Sequence, residues 1–317
     1  MSLLDRKYFK DEKAAFNHLE SLLWPGGVIC PHCGVIGKAG RLNGVKDKEG
    51  RVRPGLWKCY SKECRKQFTA KVGTVFESAH IPLHKMLQAV HLMCSSKKGI
   101  SAHQLHRTLE VDYKSAWFLA HRIREAMRDG TLTPMGGGGK VVEADETYIG
   151  QQENLGTDVS RYHNKNMVVT LVERGGSARS FHTAGHSIAD IVPIVRENIR
   201  RETRLMTDRA MHYKAVGKEF ADHGRVQHER GEYFRGPDIH TNTVEGYYSI
   251  FKRGMKGVYQ HCKEKHLHRY LAEFDFRYSN RVALGVNDEA RVGRALAGIV
   301  GKRLTYRVTD RSAATKA

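Results

Sequence analysis

The stretch VVEADETYI, residues 141–149, decides the reading of the chain's second half. Its β-branched and aromatic content marks a strand, and the two-residue period puts Glu143, Asp145 and Thr147 on one face. Downstream, MVVTLVERGGSARSFHTAG reads as a hairpin turning on Gly175-Gly176. A helix follows from Ser187 to Arg200, then the strand TRLMTD, then a helix over RAMHYKAVGKEFADHG closed by Gly224. RVQHE reads as a short strand, and Asn242 to Met255 and Lys265 to Tyr278 read as two further helices. Strands alternating with helices in this order predict an α/β fold around a mixed sheet with flanking helices.

Upstream, TLTPMGGGGK (131–140) has the composition of a linker. Before it, Pro82 to Met127 carries a helical pattern in three pieces, and residues 9–23 carry one amphipathic helix stopped at Pro25-Gly26-Gly27. The expected organisation is an N-terminal helix (1–24), a metal-held ribbon (25–76), a helix-turn-helix-like region (77–130), the linker, an α/β domain (141–285) and a basic tail (286–317). The last eight or so residues are expected to be disordered.

Of 317 residues, 53 are Lys or Arg and 34 are Asp or Glu, a net charge of +19. Such an excess attracts polyanions, and nucleic acid is the first candidate. At 40% hydrophobic and 27% charged, the composition suits a globular chain, and there is no run of 18 apolar residues, so no membrane partner is expected. The opening MSLLDRKYFKDEKAAF mixes charge signs without an apolar core, so an export signal is not expected and a cytoplasmic, nucleoid-associated location is.

Cys30-x-x-Cys33 and, after 25 residues, Cys59-x4-Cys64 supply two thiolate knuckles. Four soft ligands at this spacing suit tetrahedral Zn²⁺ in a closed structural site, with the VGTVF run continuing the ribbon. Cys94 and Cys262 read as buried small hydrophobes. In GISAHQLHRTLEVDYKSAWFLAHRIREAM, Ser101 can cap a first helix and a short turn leads to a second opening at Tyr113. Tyr113, Lys114 and Ser115 then lie where a recognition helix reaches base edges, and His121, Arg122 and Arg124 could touch phosphate. An ordinary helical hairpin has the same rhythm.

Asp145 lies in the first strand of the second half, Asp208 ends TRLMTD, and Glu245 sits near the start of a helix, with 62 and then 36 residues between them. Carboxylates converging on two divalent cations about 3.5–4 Å apart serve hydrolysis or strand transfer on nucleic acid. Hard cations such as Mg²⁺ or Mn²⁺ take such oxygen ligands. Glu143 shares the face of Asp145 as a possible accessory ligand, whereas Glu146 should point away. Structural alternatives exist: Asp208 could cap the following helix, and Asn242 with Glu245 could form a capping box.

HTNTVEGYYSIFKRGMKGVYQHCKEKHLHRYLAEFDFRYSNR (His240 to Arg281), with VEADETYIG, CPHCG and the Gly-rich segment, resembles bacterial insertion-sequence transposases with an N-terminal zinc ribbon and a DDE catalytic domain. The resemblance runs from about residue 10 to 285. It implies a ribonuclease-H-like fold, Mg²⁺-dependent cleavage and 3′-OH joining at element ends, double-stranded DNA as partner, and a homodimer or larger assembly when two ends are held. Asp145 matches the first carboxylate and Asp208 the second. Glu245 fits the spacing of the third, although asparagine is often assigned there and Asn242 stands three residues earlier. Lys252, two helical turns beyond Glu245, would reach the scissile phosphate or terminal bases, with Arg253 and Lys256 beside it. A DNA-binding regulator that has lost catalysis and a nuclease on the same fold are the alternative functions.

Overall fold

A computed structural model of the chain describes residues 3–130, 133–152, 164–183, 185–208, 210–227, 234–236 and 238–305. It divides into two compact units, one of residues 1–94, 102–127 and 292–317, the other of 95–101 and 128–291. Among the described residues no helix is long and apolar enough to cross a membrane.

In the first unit, helix α1 (Glu12–Leu23) starts where the Asp11 side chain accepts the Ala14 N–H at 2.7 Å. It begins three residues later than the sequence suggests, because Lys7–Phe9 forms a 3-10 turn that buries Phe9. The ribbon is an antiparallel sheet of β1 (Ala39–Arg41), β2 (Trp57–Cys59) and β3 (Gln67–Phe68) in sequential order. VGTVF does not extend it: this run is made of turns that bury Val75 and Phe76. Helices α2 (Leu83–Ser95), α3 (Ala102–Leu109) and α4 (Tyr113–Met127) follow, as the three-piece pattern predicts.

Residues 292–305 of the expected tail belong to this unit instead. After helix α9 (Asp288–Ala297), Val300 bridges Thr74, the Val75 N–H donates to the Ile299 carbonyl at 3.1 Å, and the Gly301 N–H donates to that of Gly73 at 2.9 Å. Leu296 and Ile299 are fully buried. Read from its Ala, Arg and Gly content, the stretch gives no local sign that Leu296 and Ile299 are buried. The final residues expected to be disordered lie outside the described residues. Deleting the chain after residue 286 exposes the cavity these two side chains fill, a loss of roughly 3–6 kcal/mol at ~1.5–3 kcal/mol each. A thermal melt should move down by on the order of 10 °C; an unchanged melt would refute this packing.

The second unit is built on a five-stranded sheet of order β6-β5-β4-β7-β8. Strand β4 (Val141–Ile149) runs antiparallel to β5 (Asn166–Glu173) and parallel to β7 (Arg204–Asp208). The β5–β6 hairpin (β6, Ala178–Thr183) forms as read, and β8 (Asp222–Val226) lies parallel to β7. Val142 and Ala144 pack with Ile191 and Val195 of α5 (Ile188–Asn198) and with Tyr213 and Val216 of α6 (Met211–Val216). On the opposite face Ile149, Val168 and Val172 pack with Val244 and Phe251 of α7 (Asn242–Gly254) and with Leu271 and Phe274 of α8 (Leu267–Ser279). Burial on both faces makes β5 a nearly continuous apolar run.

Two expectations change here. The helix read over 209–224 is only α6, because residues 222–226 join the sheet. Gly224 is a strand residue, and a Cβ there would meet Met206 Sδ at 2.4 Å. The Gly-rich segment is likewise laid onto the sheet: buried Met135 exchanges backbone bonds with Asn198 and Arg200, and Gly137 N–H donates to Thr203 Oγ1 at 2.9 Å. Gly136, at φ +82°, passes so close to Thr203 that a Cβ would lie 2.1 Å from Oγ1. Glycine serves close approach here instead of slack.

Candidate active site and metal centres

The four knuckle cysteines converge. Cys30 and Cys64 sulfurs are 3.7 Å apart, Cys33 and Cys59 3.8 Å, and all four lie within 4.8 Å of one another. The first knuckle closes through a Gly34 N–H bond to the Cys30 carbonyl, with Gly34 at φ +74°. Burial raises the Cys30 thiol, but the N–H groups of His32 and Cys33 outweigh it and bring it down to about 7. Four sulfurs closed into one group fit Zn²⁺, which would hold the ribbon. His32 turns its ring edge-on to Phe68. Cys94 is buried as expected and Cys262 is partly so.

Because β4 and β7 are parallel neighbours with Ala144 opposite Thr207, Asp145 and Asp208 emerge side by side. Asp145, Glu146 and Asp208 each bring a carboxylate oxygen within 4.8 Å of the others. Burial first, then the charges of Glu146 and Asp208, with Glu245 contributing least, hold the Asp145 carboxyl well above the usual range. Crowded acids of this kind fit a divalent cation, whose charge would reverse the cost of ionising them. Asp208 also accepts the Ala210 N–H at 2.9 Å, so it shapes the turn into α6 as well. Glu146 belongs to the α6 face by alternation, where His212 lies against it, yet its carboxylate still reaches the group. Sequence alternation missed this because it describes where a side chain leaves the strand, not how far it extends.

The third position lies on α7. Glu245 is half-buried and accepts the Thr241 hydroxyl at 3.1 Å, but it is not among the three converging carboxylates. Asn242 is exposed and is the first helical residue; Thr241 is the N-cap, so the Asn242–Glu245 capping box does not form.

Glu143 is not an accessory ligand. Its fully buried carboxylate accepts the N–H groups of Thr243 (2.8 Å) and Val244 (2.9 Å) and the Thr243 hydroxyl, and pairs with Arg174 Nε at 2.6 Å. An anion from β4 thus satisfies the positive N-terminus of the helix that carries Glu245. Arg174 also donates to the carbonyls of Asp238 and His240, fixing the approach to α7. Glu143→Ala should cost ~3–5 kcal/mol, since it removes the buried acceptor of two helix N–H groups and of a half-buried guanidinium. Denaturant unfolding checks this; a cost under ~1 kcal/mol would contradict the anchoring role.

Two tyrosines of α7 complete the bracing. Tyr248 donates to the Asp145 carbonyl at 2.6 Å, and Tyr247 to the buried carboxyl of Asp275 at 2.6 Å. Ser180 gives Asp275 both its hydroxyl (2.7 Å) and its N–H (2.8 Å). Burial nevertheless raises Asp275 to about 6. The folded chain therefore holds this proton more tightly than the unfolded chain, and the associated stability, present below about pH 4, is lost as pH rises through 6. Asp275→Asn should flatten that decline, which amounts to roughly 2–3 kcal/mol. Melts of both proteins between acid and neutral pH would show it; parallel curves would not support it.

Lys252 is exposed with Nζ 5.8 Å from the Tyr248 ring, hence on the side of α7 that faces Asp145's strand. Arg253 folds back onto Ser249 at 2.9 and 2.8 Å, and Lys256 is exposed. In the first unit Tyr113 and Lys114 are exposed at the start of α4, Tyr113 stacking on His103, while the Ser115 N–H is held by Asp112 at 3.1 Å. Arg122 and Arg124 are only 7% and 2% exposed, and His121 is buried. Arg122 donates to the Glu77 carbonyl and lies over Phe118. The Arg122, Arg124 and His121 side chains are buried, which leaves little surface for the phosphate contacts expected of them.

Residues 136–279 match the model of the ISXO2-like transposase domain, and residues 10–67 match that of the transposase zinc-ribbon domain. The chain carries both domains of this transposase family. The matched spans contain the four cysteines in one case and Asp145, Asp208, Asn242, Glu245 and Lys252 in the other. A protein named as an uncharacterized protein in transposable element ISH50 of Halobacterium salinarum is 25% identical to this transposase over 291 residues, spanning 86% of this chain and 92% of that one. The ends of the two models leave α9 and the pairing of residues 299–301 with 73–75 outside both.

Proposed function

We propose that this transposase binds the ends of its insertion sequence, frees a 3′-OH by in-line attack of water, and joins that end to target DNA. The convergence of the Asp145 and Asp208 carboxylates, one from the middle of β4 and one from the end of the adjacent β7, carries this reading. Bound there, two Mg²⁺ or Mn²⁺ ions would activate the attacking oxygen and stabilise the leaving one. Asp145 and Asp208 supply hard oxygen ligands from a rigid sheet, and Glu146 adds a third carboxylate on its margin. Glu245 is the favoured partner on α7 over Asn242, being half-buried and near enough to act on Asp145. The Lys252 ammonium meets the phosphate beside them. Glu143, Arg174 and Tyr248 hold α7 and β4 in fixed relation.

Tyr113 and Lys114 at the start of α4 would read or grip the element end, with the zinc ribbon in the same unit. Lys252, Arg253 and Lys256 would follow the strand at the catalytic unit. Two ends must be held together before joining, so the working form is a homodimer or larger assembly. Excision and insertion of the native element with its flanks, followed in cells, tests the whole reading. Movement with wild type and none with Asp208→Ala is the expected outcome. Binding of the flanks without any movement of wild type would leave only a DNA-binding role.

A further inference from the structure

Past Lys252 the α7 helix changes character. Met255–Tyr259 forms a π turn, and Gln260 ends it at φ +54°, ψ −58°, a conformation a non-glycine residue rarely adopts. Its N–H is tied back to the Met255 carbonyl at 2.8 Å. Single π turns and strained residues cluster at functional sites, where surrounding structure holds them. Here they form one wall of a cavity of about 550 Å³. The cavity has Ile149, Met255 and Leu267 as an apolar floor and Lys165, Lys256 and Lys263 at its sides, with no acidic side chain among the described residues that line it. Ile149 lies on β4 four residues beyond Asp145, ~13 Å along the strand at ~3.3 Å per residue. Lys252 and Lys256, one helical turn apart, lead from the carboxylates towards it.

We propose that this cavity binds one unpaired nucleotide of the DNA strand, its phosphate between the three lysines and its base on the apolar floor. A duplex presents its phosphates on a convex surface and keeps its bases stacked, so it cannot enter a pocket. A single unstacked nucleotide can, and a volume of this order suits a small ligand. Cations for the phosphate combined with apolar surface for a base face is the pairing that single-strand binding needs. The use of the pocket during strand transfer rests on the transposase reading above; its preference for an unpaired strand does not.

Equilibrium binding of the full chain to a short fluorescein-labelled single strand, and to a blunt duplex of the same sequence, separates the two. The double variant Lys165→Glu/Lys263→Glu should weaken single-strand binding roughly tenfold or more, make its salt dependence shallower by ~1–2 in log–log slope, and weaken duplex binding far less. Circular dichroism and zinc content would establish that the variant is folded. As a second reading, 2-aminopurine in the single strand should change its emission on binding wild type, and not the variant. Equal losses on both probes would mean a general cationic face, and no loss on either an unused cavity; each overturns the pocket. A chain that moves its element yet treats both probes alike would sink the pocket and leave the transposase reading standing.

Discussion

The Asp208→Ala transposase is expected to bind element-end DNA as wild type does and to cleave it at least ~10³-fold more slowly, about 4 kcal/mol of transition-state stabilisation or more. The expectation follows from position. Asp208 ends β7 beside Asp145 on β4, so its loss removes one of the carboxylates that can share a divalent cation. It also relieves Asp145 of a neighbouring charge, which should ease ionisation of Asp145 without restoring the site. The same substitution removes the acceptor of the Ala210 N–H, a surface turn bond worth only about 1 kcal/mol, so folding should survive. Single-turnover cleavage of a labelled end, with binding measured alongside, checks both halves. Loss of binding in proportion to loss of cleavage would instead assign Asp208 a structural role.

Stripping metal from the four-cysteine site should have the largest effect on stability. Structural zinc in small ribbons contributes ~10–16 kcal/mol of apparent binding free energy, which is folding free energy where no apo core exists. The ribbon's three strands are two or three residues long, and its core is little more than Cys30, Cys59 and Phe68 with Trp24 and Trp57 against them. That is too little apolar burial to stand alone. Chelation, or Cys59→Ser, should therefore unfold residues 25–68 while the five-stranded sheet persists. Near-UV circular dichroism would follow Trp24 and Trp57, with zinc release read by a chromophoric chelator. A ribbon that keeps its tryptophan signal without metal would contradict a structural role for the site.

Much of this was legible in the sequence, and the gaps have physical causes. Alternation in 141–149 and the apolar run of β5 fixed the sheet, and knuckle spacing fixed the sulfur cluster. Asp145 and Asp208 were singled out by the resemblance to DDE transposases more than by periodicity, and their carboxylates do converge. Glu143 and Glu146 were misjudged because periodicity assigns a face and says nothing of partners: Glu143 meets Arg174, 31 residues on, and a helix start 100 residues on. Arg122 and Arg124 looked like phosphate contacts because charge alone does not reveal burial. The return of residues 299–301 to 73–75 was invisible for the same reason that long-range pairing usually is, since no local pattern encodes the partner.

The most direct measurement is cleavage of a labelled element-end duplex by the purified wild-type transposase with Mg²⁺, with Mn²⁺, and with EDTA. A nick leaving a 3′-OH at the element boundary, formed with either cation, absent with EDTA, and then joined to added target DNA, is the predicted result. Stable binding of the end with no nick under any cation, or a nick that persists in EDTA, would contradict it.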